Sequence, residues 1–181
     1  DCDWSSDVCS SDLTPEQQEH AKVLRAEIKE KVKAAGLWAP HLPGEYGGMG
    51  LDFLAHAYMN EILAYAMGAA SLFGVVAPNS GNQKILLKYG TEEQKRKWLL
   101  PLVEGTMESG YSMTEPANAG SDPRSIKTTA RLENGQWVIN GHKWFTSNGL
   151  DADFFIVMCR DRKSTRLNSS HSQQSRMPSS A

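Results

Sequence analysis

The sequence predicts an α+β chain, with an N-terminal all-α helical domain over residues 14–107 followed by a truncated antiparallel, β-barrel-like domain over residues 108–160. Three observations carry this. Apolar residues recur at helical spacing as far as Gly105 and at period two beyond it. Helix-starting and helix-stopping residues bracket the first half. Asn134-Gly135, Asn140-Gly141 and Asn148-Gly149 punctuate the second, and Asn-Gly readily takes the positive φ values of hairpin turns.

The first helix starts at Thr14, whose side chain caps the orphan N–H groups, with Pro15 at the first helical position and Gln17 completing a capping box. Ala21, Leu24, Ile28 and Val32 recur on one face, lysines and glutamates share the other, and Gly36 stops the helix. Residues 37–50 form a turn-rich connector with two prolines. Its glycines are no dinucleotide fingerprint, because no strand precedes them. Asp52 caps a second helix in which Leu54, Tyr58, Ile62 and Tyr65 share a face. The small apolar stretch 69–76 suits the inside of a bundle, Pro78 interrupts it, and helix resumes over 82–88. Thr91 and Gln94 make another capping box, opening a helix through Trp98, Leu99 and Leu102 that Gly105 ends. Strands are expected at 126–132, 136–139, 142–146 and 154–159, joined as a meander. The apolar run 154–158 would need further neighbours, so the sheet reads as cut short.

The chain has 181 residues and a net charge of −2, with 19 basic against 21 acidic side chains. That balance argues against nucleic acid or an anionic membrane as the main partner, and no run has the twenty or so apolar residues that span a bilayer. Cys2, Cys9 and Cys159 form no disulfide framework, and the five histidines lack ligand spacing, so no metal is expected. The ends differ from the middle. Residues 1–13 repeat Ser-Ser-Asp without the basic and apolar regions of a secretory signal, and residues 161–181 are Ser-rich with little to bury. Both resemble translated sequencing-adapter sequence, and we read them as a non-native leader and a non-native disordered tail.

The chemistry is concentrated in two runs, 111–122 and 141–149. Thr114, Ser121, Thr146 and Ser147 offer small hydroxyls, while Ala119 and Gly120 let backbone N–H groups approach a ligand. Trp144 and Phe145 add broad apolar faces. A flat ring with a polar edge, such as an isoalloxazine, wants this combination of donors and an apolar wall. Taken alone, the composition suits an ordinary hydroxyl-rich loop followed by an aromatic strand equally well.

The motifs decide between these. Thr114-Glu115-Pro116 followed by Ala119-Gly120-Ser121-Asp122, then Asn140-Gly141-His142-Lys143 and its aromatic-hydroxyl-Asn-Gly sequel, resembles the acyl-CoA dehydrogenase family. Residues 36–40, 43–50 and 89–94 are similar to that family in the same order, and the resemblance covers about Thr14 to Arg160. It implies FAD as cofactor, with Tyr111, Met113 and Thr114 beside the flavin ring. Ser121 would lie near the FAD phosphates and the thioester-pantetheine arm of the substrate, Phe145 would stand against the flavin where many members carry tryptophan, and Ser147 would donate to N5, with Thr146 beside it. The aromatic-hydroxyl register and one extra residue between Glu115 and Gly120 depart from the commonest pattern.

The implied activity is α,β-dehydrogenation of an acyl-CoA thioester, with flavin N5 taking the β-hydride and a glutamate beyond this chain removing the α-proton. Glu115 reads as a structural carboxylate, so no residue of the chain is nominated as catalytic. The resemblance further implies a missing C-terminal helical bundle, an electron-transferring flavoprotein as acceptor, a homo-oligomer (dimer or tetramer) when intact, and a cytoplasmic location with the mitochondrial matrix open. An acyl-CoA oxidase or flavin monooxygenase of the same fold would share Thr114 and Ser121 but let reduced flavin meet oxygen, and a cofactor-free, inactive fragment is the remaining alternative.

Overall fold

The first helix, α1 (Pro15–Ala34), begins where the capping box puts it: Thr14 Oγ1 accepts from the Gln17 N–H and Gln17 Oε1 accepts from the Thr14 N–H. The computed structural model describes residues 13–66, 68–120, 122–161, 167–168 and 172–173, so most of the leader and the tail lie outside the described residues. The chain divides into two compact units, Asp1–Ser80 and Gly81–Ala181.

In the first unit α1 ends at Ala35, and Gly36 follows with φ of 71°. The connector holds one 3-10 turn, Gly44–Tyr46, and folds back on itself through bonds from the Gly50 N–H to Leu42 O and from the Leu51 N–H to Pro40 O. Asp52 caps α2 (Phe53–Leu63) by accepting from the Ala55 N–H at 2.8 Å. A short α3 (Ala69–Leu72) follows. Trp38, Ala39 and Leu42 are buried, as is Val32 of α1. The expected apolar stripes are present, but Leu24 and Ile28 of α1 and Leu54, Tyr58, Ile62 and Tyr65 are exposed, and α2 buries Leu63 instead.

The break at Pro78 is a cis Ala77–Pro78 bond, after which α4 runs Asn79–Tyr89. Thr91 and Gln94 form their capping box, and one helical path then runs from α5 (Glu92–Gln94) through a π segment, Lys95–Leu99, into α6 (Leu100–Glu104). The π turn has a local cause. Pro101 has no N–H to donate and its ring crowds the carbonyl four residues back, so the ladder widens and the Leu100 N–H reaches Lys95 O. Gly105, at φ of 80°, ends the path.

Beyond it lie two small sheets. One has the order β1-β4-β7, built from β1 (Ser109–Ser112), β4 (Phe154–Val157) and β7 (Ser172–Gln173). The other has the order β3-β2-β5-β6, with β2 (Thr129–Glu133), β3 (Gln136–Asn140), β5 (Cys159–Asp161) and β6 (Leu167–Asn168). Asn134-Gly135 makes the tight β2–β3 hairpin, both residues at positive φ.

The expected meander is corrected here. Pairs β1–β4 and β2–β5 are parallel, with Ser109 opposite Phe154 and Thr129 opposite Arg160, and no closed barrel forms among the described residues. The run 154–159 splits at Met158 into strands of different sheets. Residues 142–146 form no strand, because Phe145 has φ of 50°, which breaks the extended path. Strand β2 starts at Thr129, since the N–H groups of Lys127 and Thr128 are taken by Glu115. Strand β1, in turn, lies where only a hydroxyl-rich run was expected.

Candidate functional site

The two chemical runs meet along one seam. At its start, the Tyr111 N–H donates to Ser147 O at 3.3 Å in an isolated antiparallel bridge. Ser112 Oγ and Thr146 Oγ1 share a hydrogen bond of 2.9 Å. The Trp144 N–H donates to Thr114 O at 3.2 Å, and Lys143 Nζ donates to Met113 O at 2.8 Å. Every residue from Tyr111 to Thr114 is thus tied to one between Lys143 and Ser147. Between Lys143 and Ser147, Phe145 is the residue without such a bond, and it is 79% exposed with its ring 4.7 Å from that of Trp144.

Behind the seam sits Glu115, 5% exposed. Its carboxylate accepts from the Lys127 N–H at 2.7 Å, the Thr128 N–H at 2.8 Å, Thr128 Oγ1 at 2.5 Å, Lys143 Nζ at 2.9 Å and the Asn118 amide. Burial alone would raise this carboxyl, but the Thr128 hydroxyl, the two backbone donors and Lys143 outweigh it and hold the pKa down to about 2. Glu115 is therefore ionised at neutral pH and fully engaged, unsuited to taking a proton from a substrate. Lys143 spans both runs through this carboxylate and Met113 O, which makes the pair a clasp rather than a surface ion pair.

The seam is also pinned from a helix. Asn82 in α4, 1% exposed, donates through Nδ2 to Ser109 Oγ at 2.8 Å and Gly110 O at 3.1 Å, fixing the start of β1. Two glycines permit close approaches. A Cβ on Gly110 would come within 2.5 Å of the Phe155 ring, and one on Gly141 would come within 2.2 Å of Thr128 Oγ1.

Of the residues expected at a ligand, the structure brings together Tyr111, Met113, Thr114, Thr146 and Ser147 along the seam, with Phe145 beside them. Ser121 lies outside the described residues. Burial pushes the Tyr111 phenol up, so it stays protonated. A recess of about 10 Å³, room for a single water, is lined by Met113, Thr114, Asn118, Gly120 and Asp122 among others. The recess is too small for a ring-sized ligand, and Ser147 and Phe145 are exposed.

Sequence reasoning missed Ser112, Thr128, Asn82 and the role of Lys143. A polar Asn82-Gln83 pair just ahead of apolar Ile85 and Leu86 was the available signal for Asn82. The partners of the others are 12 or more residues away, and nothing local announces them.

Comparison with known proteins gives these features a family. The model of the acyl-CoA dehydrogenase N-terminal domain matches residues 4–106, and that of the acyl-CoA dehydrogenase middle domain matches residues 110–175. Acyl-CoA dehydrogenase family member 10 of Mus musculus is 43% identical over 152 residues, covering 77% of this chain and 14% of that protein. Among solved structures, a Mycobacterium abscessus protein assigned to the acyl-CoA dehydrogenases superposes with a TM-score of 0.70 at 38% identity, over 76% of this chain and 34% of that one. A glutaryl-CoA dehydrogenase from Mycobacterium smegmatis in complex with FADH2 gives 0.60 at 29% identity, over 75% and 34%. The chain thus spans about a third or less of the length of each of these three proteins. With a helical half, a small-sheet half and both signature runs held against each other, this chain belongs to the acyl-CoA dehydrogenase family.

Proposed function

We propose that this chain carries the N-terminal and middle portions of an FAD-dependent acyl-CoA dehydrogenase, a helical domain over residues 14–107 followed by a flavin-binding sheet domain over residues 108–160. The observation that carries the reading is the seam, which joins the two hydroxyl-bearing runs by hydrogen bonds and leaves Phe145 and Ser147, two residues apart, both exposed. Those residue types fit an isoalloxazine edge and face. Tyr111, Met113, Thr114 and Ser147 would hold the ring, Phe145 would stand against it, and Ser121 would serve the phosphates and the pantetheine arm. Bound FAD would supply a two-electron acceptor for the hydride leaving the acyl-CoA β carbon. The residues of this chain would orient that cofactor and exclude water on one side, while the α-proton goes to a glutamate outside the chain. Reoxidation by an electron-transferring flavoprotein and assembly as a homo-oligomer complete the proposal.

The test is to express the complete reading frame that encodes this chain and record its visible spectrum with and without acyl-CoA thioesters, in the absence of oxygen. A flavin band that bleaches on adding thioester is the expected result. A protein that binds no flavin would overturn the reading. Oxygen consumption during turnover would move the assignment to an oxidase or monooxygenase of the same fold.

A further inference from the structure

Thr146 and Ser147 are adjacent hydroxyls, and residue type alone gives no reason to prefer one as the group that meets a ring. Their surroundings differ. Thr146 Oγ1 lies 2.9 Å from Ser112 Oγ in a partly buried contact, whereas Ser147 is exposed and tied to β1 through its backbone. Between these tethers and the Trp144 N–H bond to Thr114 O stands Phe145, with φ of 50°. The left-handed region is unfavourable for a bulky aromatic residue and persists where flanking contacts impose it.

We propose that Thr146 is a positioning residue and not a flavin contact: its bond to Ser112 holds Phe145 in the left-handed conformation and leaves Ser147 as the hydroxyl offered to the ring. This rests on the flavin reading above. It reassigns Thr146 from the ligand surface to the latch behind it, and it gives Ser112 a function that no motif suggests.

The test uses the complete reading frame, reading FAD affinity by titration of the apoprotein and the midpoint potential of the bound flavin. Thr146→Val removes the hydroxyl with little change of shape, and Ser112→Ala breaks the same bond from the β1 side, so the result does not hang on one variant folding. Each is expected to weaken FAD binding about fivefold, the worth of one neutral hydrogen bond. The double variant should again be weakened about fivefold, because one bond is lost in all three. Thr146→Ser, which keeps the hydroxyl, should restore affinity. Ser147→Ala should shift the midpoint potential, Thr146→Val should shift it the same way, and Thr146→Val should add nothing in the Ser147→Ala background. If the Ser112 and Thr146 effects multiply, or if Thr146→Val still moves the potential without Ser147, the latch is wrong while the flavin reading stands. A wild-type protein that takes up no FAD sinks both.

Discussion

At the scale of single residues, Glu115 gathers hydrogen bonds from Asn118, Lys127, Thr128 and Lys143. It is a buried carboxylate with five donors, and its folded pKa of about 2 lies below its usual 4.5. A depressed folded pKa contributes stability that is whole above about 4.5 and is lost as the pH falls toward 2. The shift corresponds to about 3 kcal/mol. Glu115→Gln should therefore unfold at lower denaturant concentration near neutrality, and the gap from wild type should close between about pH 4.5 and 2 in denaturation series taken at stepped pH. A gap that is constant with pH would mean the cost lies in packing and not in charge. Glu115 was legible as structural from its place beside Pro116, but its partners were not, since Lys127, Thr128 and Lys143 come from other elements.

At the scale of elements, local chemistry was readable and long-range pairing was not. Thr14, Asp52, Thr91 and Asn134-Gly135 all act within three residues of themselves, and each does in the structure what its residue type dictates. Strand β1 escaped notice because its partner β4 lies 45 residues downstream in parallel, and Ser109-Gly110 carries no alternating pattern. The Asn82 bonds to Ser109 and Gly110 make α4 the brace of that strand. Asn82→Ala should cost about 1–3 kcal/mol, because it removes two buried hydrogen bonds, and should speed amide exchange in β1 more than in the β2–β3 hairpin. Gly141→Ala should cost a similar 1–3 kcal/mol by overpacking. The new methyl would meet Thr128, so the variant should also weaken the hold on Glu115, visible as an acid-unfolding midpoint moved to higher pH.

At the scale of the whole molecule, the apolar periodicity of α2 was read correctly but not its fate. Phe53, Leu54, Tyr58, Ile62 and Tyr65 are each at least 62% exposed, a larger apolar face than isolated surface residues explain. The 181-residue chain should accordingly self-associate as its concentration rises, and Ile62→Gln with Tyr65→Gln should reduce this in sedimentation experiments. No helix among the described residues is long and apolar enough to cross a membrane. The parallel pairing of β1 with β4 also governs the order of events during synthesis. Among the described residues, 109–112 have no neighbouring strand until 154–157 have been made, so for some 40 residues of further chain β1 has only Asn82 and then the run 143–147 to hold it. Ribosome-bound chains halted before residue 154 should leave β1 open to protease, and chains released beyond 161 should protect it. The edge proposed for the flavin is thereby completed only after the helical residues up to Glu104 have been made.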